Sequence, residues 1–208
     1  MGVKLYLADV SAVTDAAMAA VPAERRQKAM RFALPDDRRR SLGAGLLLQY
    51  ALTAEGIKNP VFGQNEHGKP LLLSPEGWQF SLSHAGSFAL CAVSHGAVGC
   101  DIEKIDKDRL AVAKRFFAPE EAAALAALPE TEQLMRFYRY WTAKESYVKA
   151  LGKGLSMPLD SFAVTFDDAP RVAGSDFCFK EFFAVEEYAV CLCAAEDCRN
   201  TVLQTVKL

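Results

Sequence analysis

Two acidic clusters carry the chemistry open to this sequence. The first is VGCDIEKI, residues 98–105. Side chains alternate faces along a strand, so Asp101 and Glu103 point one way while Cys100 and Ile102 point the other, into a core. Neighbouring carboxylates repel unless a cation lies between them. Rigidly held oxygen ligands suit Mg²⁺, which keeps several waters and takes one or two carboxylates plus substrate phosphates. A solvated strand face would carry the same residues. The second cluster is WTAKESYVKALGKGL, residues 141–155. On a helix, Trp141, Glu145 and Lys149 are spaced by four and share a face, with Lys144 and Val148 on a neighbouring stripe. An exposed Glu–Lys pair, worth only ~0.2–0.5 kcal/mol, is the plain alternative. Trp141 on the same face argues against full exposure. Glu145 would complete a hard-cation site with Asp101 and Glu103, and a nearby lysine would meet a phosphate.

A third segment, FSLSHAGS (residues 80–87), reads as a turn between two strands. Ser83, His84 and the backbone N–H groups of a glycine-containing turn can donate to phosphate oxygens. A simple hairpin turn is the alternative. No Ser-His-Asp arrangement accompanies it, so Ser83 is not read as a nucleophile. Arg25, Lys28, Arg40 and Lys69 would each be ordinary surface charges alone. Beside a Mg²⁺ site they could hold a polyphosphate, arginine being suited to bidentate phosphate contacts.

The elements that must position these groups follow from pattern and punctuation. Residues 4–7 read as a strand, residues 22–31 as a basic helix opening on proline, and residues 38–54 as a longer helix ended by Gly56. Residues 59–70 are rich in turn formers and read as a loop. Strands are expected at 78–82, 88–94 and 97–103. Helices are expected at 108–117, from Pro119, and at 131–151, the last stopped by Gly152 and Gly154. The tail reads as strands at 161–166, 176–185 and 188–193, the last two as a hairpin. Helix and strand mix without regular β-α-β alternation, which predicts an α+β fold. The division is expected near residue 105, giving halves 1–105 and 106–208.

The chain has 208 residues, 51% of them hydrophobic and 24% charged, with a formal net charge of −2. A chain of this length buries roughly 70% of its unfolded surface and needs no staple to fold. The near-neutral charge supplies no global field for nucleic acid or anionic membrane, so neither is an expected partner. The six cysteines form no C-x-x-C pair and read as buried thiols. No leader-like segment or long apolar run is visible, so the cytoplasm is the expected location.

Together, and in this order, the motifs resemble those of Sfp-type phosphopantetheinyl transferases. VGCDIE matches the family's VG-x-D-x-E, and WTAKESYVK its W-[ST]-x-K-E-x-x-x-K, followed by ALGKGL. SHAG stands for the SHSG-like turn and Gly68-Lys69-Pro70 for its GKP. RRQKAMRF resembles the basic helix more loosely, and AKRFFAPEE is also family-like. The resemblance runs from about residue 22 to 164. SHAG for SHSG, Cys100 where an aliphatic is common, and Ser81 where asparagine is frequent are departures that remove no phosphate or metal ligand.

The resemblance implies a single-chain pseudodimer of two similar α+β halves with coenzyme A in the cleft between them. It implies that Asp101, Glu103 and Glu145 bind Mg²⁺, or Mn²⁺, with the pyrophosphate. Lys149, Ser83 and His84 would hold phosphates, and Gly68, Lys69 and Pro70 would line the adenine pocket. Arg40, with Arg25 and Lys28, would lie near the 3′-phosphate. The implied reaction moves phosphopantetheine to a serine of an acyl or peptidyl carrier protein and releases 3′,5′-ADP. Glu145, a water or Glu121 would take the serine proton. The carrier is expected near residues 113–128 and the start of the 131–151 helix, where Phe116 and Phe117 look exposed unless they pack in the core, and where Lys114 and Arg115 would face an acidic partner. A monomer is expected, since one chain supplies both halves. The rival readings are a non-catalytic nucleotide-binding module and an ATP-dependent phosphotransferase; no Walker or kinase glycine-rich loop supports the second.

Overall fold

Two sheets lie face to face, each backed by one long helix. The computed structural model describes residues 2–107, 110 and 113–208, apart from the side chains of Glu24, Ala113 and Lys114. The chain runs through β1 (Lys4–Asp9), α1 (Ala23–Met30) and α2 (Pro35–Ala54). Two hairpins follow, β2 (Val61–Gln64) with β3 (Pro70–Ser74), and β4 (Gln79–Ala85) with β5 (Phe88–Ser94). Then come β6 (Val98–Lys104), α3 (Ala113–Phe116), α4 (Pro119–Ala126) and α5 (Glu130–Leu151). The chain continues with the hairpin β7 (Val164–Phe166) and β8 (Pro170–Val172), and then β9 (Cys178–Phe182), β10 (Tyr188–Ala194) and β11 (Leu203–Val206).

The larger sheet has the order β11-β1-β5-β4 and the second the order β6-β10-β9. Strand alternation sorts their side chains into layers. Tyr6, Ala8, Ala89, Cys91 and Val93 pack with Leu47, Ala51 and Leu52 of α2. The opposite faces meet between the sheets, where Leu5, Leu7, Leu90 and Ala92 join Cys100, Ile102, Val190 and Leu192. Ala189, Cys191 and Cys193 turn outward to the aromatic inner face of α5. The expected α+β class and two-half plan describe this arrangement: three antiparallel strands and one long helix on each side.

The division differs from the one expected at residue 105. The strand expected at 97–103 falls in the first half of that division. Instead β6 pairs antiparallel with β10, Asp101 opposite Cys191, and so belongs to the second sheet. The tail crosses back, β11 lying parallel to β1. β6 meets β4 through side chains: the Cys100 N–H donates to Ser81 Oγ at 3.1 Å. The boundary therefore falls before Val98, and the last strand belongs to the first sheet.

Other differences are local. The turn-rich segment at 59–70 holds β2, and Pro70 opens β3. The SHAGS segment is mostly strand, since β4 runs to Ala85 and the turn is confined to Gly86-Ser87. α2 starts at Pro35 rather than Arg38, with Asp36 and Asp37 in its first turn where the helix dipole favours anions. Of the helix expected at 108–117, Ala113–Phe116 is helical; residues 108, 109, 111 and 112 lie outside the described residues, as does the Lys114 side chain. Phe117 is 3% exposed and belongs to the core, the second of the two alternatives left open for it. Phe116 is half-buried, edge-on to Trp141.

Candidate active site

The site forms where α5 crosses β6. Asp101 and Glu103 lie on the β6 face turned toward α5, and the helical face of Trp141, Glu145 and Lys149 looks back at them; all five line one cleft of about 480 Å³. The Lys149 ammonium donates to Asp101 Oδ1 at 2.6 Å, to Ser83 Oγ at 3.1 Å and to the Cys100 carbonyl at 3.3 Å. Ser83 Oγ in turn donates to Asp101 Oδ1 at 2.7 Å. Burial draws the Lys149 pKa down, but Asp101, Cys100 and Glu145 outweigh it and the net shift is upward, so the ammonium stays charged at neutral pH. Glu145 titrates above the ordinary carboxylate range, mainly through desolvation and then repulsion by Asp101, partly offset by Lys149.

The other oxygen of Asp101 shows what the site accepts. Oδ2 is buried and has no hydrogen-bond partner. An unpaired buried carboxylate oxygen is costly, and a cation would satisfy it. Among the described residues, no three His, Cys, Asp or Glu side chains already enclose a metal position. The three expected carboxylates line one cleft, with Asp101 Oδ1 committed to Lys149 and Ser83. An all-oxygen donor set with one oxygen unsatisfied fits a hard divalent cation.

Cations line the approach. Arg25 and Lys28 of α1 border both this cleft and an adjoining cavity of about 550 Å³, which also shares Gly68, Pro70 and Phe80. Phe62, Gln49 and Gln64 line the outer cavity, which thus offers aromatic faces and amides. Burial holds the His84 pKa down to about 4, helped by repulsion from Lys149, Arg40 and Lys28, so its ring is neutral at neutral pH. Arg40 is near enough to His84 to contribute, yet it is ion-paired with Asp37 and does not line the cleft. Lys69 lines the cleft wall, but its ammonium donates to the carbonyls of Val98 at 3.2 Å and Ala150 at 3.3 Å.

One expected role is overturned. Glu121 cannot serve as the base in the cleft, because it is 1% exposed and fully engaged elsewhere. Its Oε2 accepts from Lys144 at 2.8 Å and from the Ala118 N–H at 2.8 Å, and its Oε1 accepts from the Val164 N–H at 2.6 Å. Lys144, on the stripe beside that of Glu145, is also buried, and it additionally donates to the Leu159 and Phe162 carbonyls. The pair ties α4 and α5 to the segment entering β7. Sequence reasoning missed two residues whose contacts join elements around the cleft, Gly99 and Asn65. The glycine before C-D in VGCD was a visible signal for the first.

Comparison with known proteins places this architecture. A family model described as 4'-phosphopantetheinyl transferase superfamily matches residues 97–193, and one described as 4'-phosphopantetheinyl transferase, N-terminal, matches residues 10–96. The junction between the two matches coincides with the boundary before β6. A 4'-phosphopantetheinyl transferase of Bacillus subtilis is 40% identical over 193 residues, covering 87% of this chain and 85% of that protein. The 4'-phosphopantetheinyl transferase Sfp of Bacillus subtilis strain 168 is 35% identical, covering 86% and 84%. The HetI transferase of a Nostoc species is 36% identical, covering 66% and 62%. On the strength of these matches and the cleft they share a chain with, the protein belongs to the 4'-phosphopantetheinyl transferase superfamily.

Proposed function

We propose that this enzyme transfers the 4'-phosphopantetheine group of coenzyme A to a serine of an acyl or peptidyl carrier protein and releases 3′,5′-ADP. The observation that carries the proposal is the pairing of half-buried Lys149 with buried Asp101, 2.6 Å apart, set in a cleft with Glu103, Glu145, Ser83 and His84. A fixed ammonium beside an unsatisfied carboxylate oxygen suits a pyrophosphate and its counterion. The outer cavity accepts the nucleotide end, with Gly68, Lys69 and Pro70 against the base, and Arg25 and Lys28, backed by Arg40, toward the 3′-phosphate.

The serine oxygen bonds to the β-phosphorus of coenzyme A as the bond from that phosphorus to the bridging oxygen breaks. The serine proton leaves, and the electron pair departs with the 3′,5′-ADP phosphate. Catalysis of such a displacement comes from positioning and charge stabilisation. Lys149 stabilises the departing phosphate, with Ser83 holding Asp101 and Lys149 in register. Glu145 accepts the serine proton directly or through a water; burial and repulsion by Asp101 raise its pKa. Asp101, Glu103 and Glu145 would hold Mg²⁺, or Mn²⁺, which when bound supplies charge neutralisation at the pyrophosphate. The carrier docks beside the first turns of α5, near Met135 and Arg115. Both cleft walls come from one chain, so the enzyme works as a monomer, and a cytoplasmic location fits its substrates. No helix among the described residues is long and apolar enough to cross a membrane.

Intact-mass analysis of apo carrier proteins incubated with the enzyme, coenzyme A and Mg²⁺ tests this reading. A gain of one phosphopantetheine group, lost with EDTA or with Asp101→Ala, is the expected result. Coenzyme A binding with no transfer to any carrier would instead favour a non-catalytic binding module. Failure to bind coenzyme A would overturn the assignment.

A further inference from the structure

The turn between β2 and β3 is built onto the end of α5. Asn65 Oδ1 accepts from the His67 N–H at 3.0 Å and the Lys69 N–H at 2.8 Å, which shapes the turn. Its amide nitrogen reaches the other way and donates to the Gly152 carbonyl at 2.7 Å, 87 residues along the chain. Gly152 caps α5 in the left-handed conformation, φ 71°, and its carbonyl is one of the helix-end acceptors that need a partner. The fit is close: a Cβ at Gly152 would stand 3.0 Å from Asn65 Nδ2 and 3.0 Å from Lys69 Cδ. Lys69 then joins the last turn of α5 to β6 through the Ala150 and Val98 carbonyls. Desolvation lowers its pKa to about 8, consistent with an ammonium enclosed at this junction.

Two cleft walls are therefore fastened together. One carries Gly68 and Pro70 on the turn, and the other carries Glu145 and Lys149 on α5. We infer that Asn65 is a positioning residue for the transfer reaction, its side-chain amide clipping the β2–β3 turn to the Gly152 carbonyl and so fixing the distance between the nucleotide-side wall and the catalytic face of α5. Without the clip, binding must itself bring the walls into register, and the deficit falls on coenzyme A rather than on the carrier. The kinetic part rests on the proposed reaction; the clip itself does not.

Asn65→Asp separates the two roles of the side chain. A carboxylate still accepts from His67 and Lys69, but it has no hydrogen to donate and turns an oxygen toward the Gly152 carbonyl. Asn65→Ser is neutral, keeps an acceptor for the turn and is too short to reach Gly152; it serves if the first variant fails to fold. Hydrogen exchange of the free enzyme reads the clip directly, with faster exchange expected over residues 148–156 and unchanged exchange in β6. Kinetics read the consequence: KM for coenzyme A should rise about tenfold, the size expected for losing one buried hydrogen bond and gaining a repulsion, with KM for the carrier unchanged. Wild-type exchange over 148–156 would overturn the clip. Faster exchange with wild-type KM for coenzyme A, and a lowered melting temperature alone, would reduce Asn65 to a structural role and overturn the inference. If the wild-type enzyme binds no coenzyme A, the transfer reading fails, while the exchange measurement still decides the clip.

Discussion

The carbonyl oxygen of Ser146 occupies the place a side chain would take at Gly99: a Cβ built there would lie 1.9 Å from that oxygen and 2.5 Å from the Ala150 nitrogen. Both obstacles are backbone, so no rotamer change relieves them, and α5 would have to lift off β6. Because Asp101 is two residues along β6 and Lys149 three along α5, their 2.6 Å contact depends on this close approach. Gly99→Ala should destabilise the fold by about 1–3 kcal/mol, the usual range for overpacking a well-fitted interior. Transfer activity per folded molecule should fall further than the stability change explains. Thermal unfolding alongside activity at a temperature where the variant is fully folded checks this; wild-type activity in the folded variant would show that the spacing is not critical.

The Asp101–Lys149 pair sets up a second expectation. Lys149→Ala removes the fixed charge beside the leaving phosphate and should lower kcat by about 100-fold or more, as deletion of a preorganised electrostatic donor does. Coenzyme A should raise the melting temperature of the wild-type protein when Mg²⁺ is present, and EDTA should remove most of that rise, since a ligand stabilises the fold in proportion to its affinity. An EDTA-insensitive shift would remove Asp101, Glu103 and Glu145 as metal ligands.

Much of the site was legible because strand and helix periods assign faces. A period of two put Asp101 and Glu103 together, and spacing by four put Trp141, Glu145 and Lys149 together; those five residues line one cleft. What lies opposite a face is not written in the local sequence. Asn65 looks like one more turn former because its partner Gly152 is 87 residues away. Lys144 and Glu145 are adjacent and both charged, yet one enters the core and the other the cleft, since successive helical residues are 100° apart. The sheet to which β6 belongs was not legible for a similar reason: the apolar face of Cys100 and Ile102 is completed by β10, about ninety residues further along the chain.

The Lys144–Glu121 pair should behave as a stability element. Both side chains are fully buried, and either one alone would leave an uncompensated charge in the core. Lys144→Met or Glu121→Ala should each cost about 3–5 kcal/mol, and the double replacement less than the sum, because it removes both charges. Chemical denaturation of the three variants checks the coupling. Transfer by the folded fraction of Glu121→Ala should stay near wild type at low temperature; a loss of kcat in fully folded protein would return Glu121 to the reaction.

His84 gives the pH-dependent prediction. A histidine in an unfolded chain titrates near 6.5, whereas burial and the surrounding Lys149, Arg40 and Lys28 hold this ring to about 4. Between those values the unfolded chain takes up a proton that the folded protein refuses. His84 therefore lowers stability as pH falls from about 6.5 toward 4, and contributes no pH dependence above that window. A polyanion in the cleft reverses the balance of charge around the ring, so binding 3′,5′-ADP should raise its pKa. The chain has three histidines, so the His84 imidazole signal can be followed individually by NMR against pH. The free protein should show the His84 ring titrating near 4, moving upward with 3′,5′-ADP. A His84 pKa that ignores the ligand would mean that the nucleotide phosphates lie elsewhere, and would direct the search for their site to the outer cavity beyond Arg25.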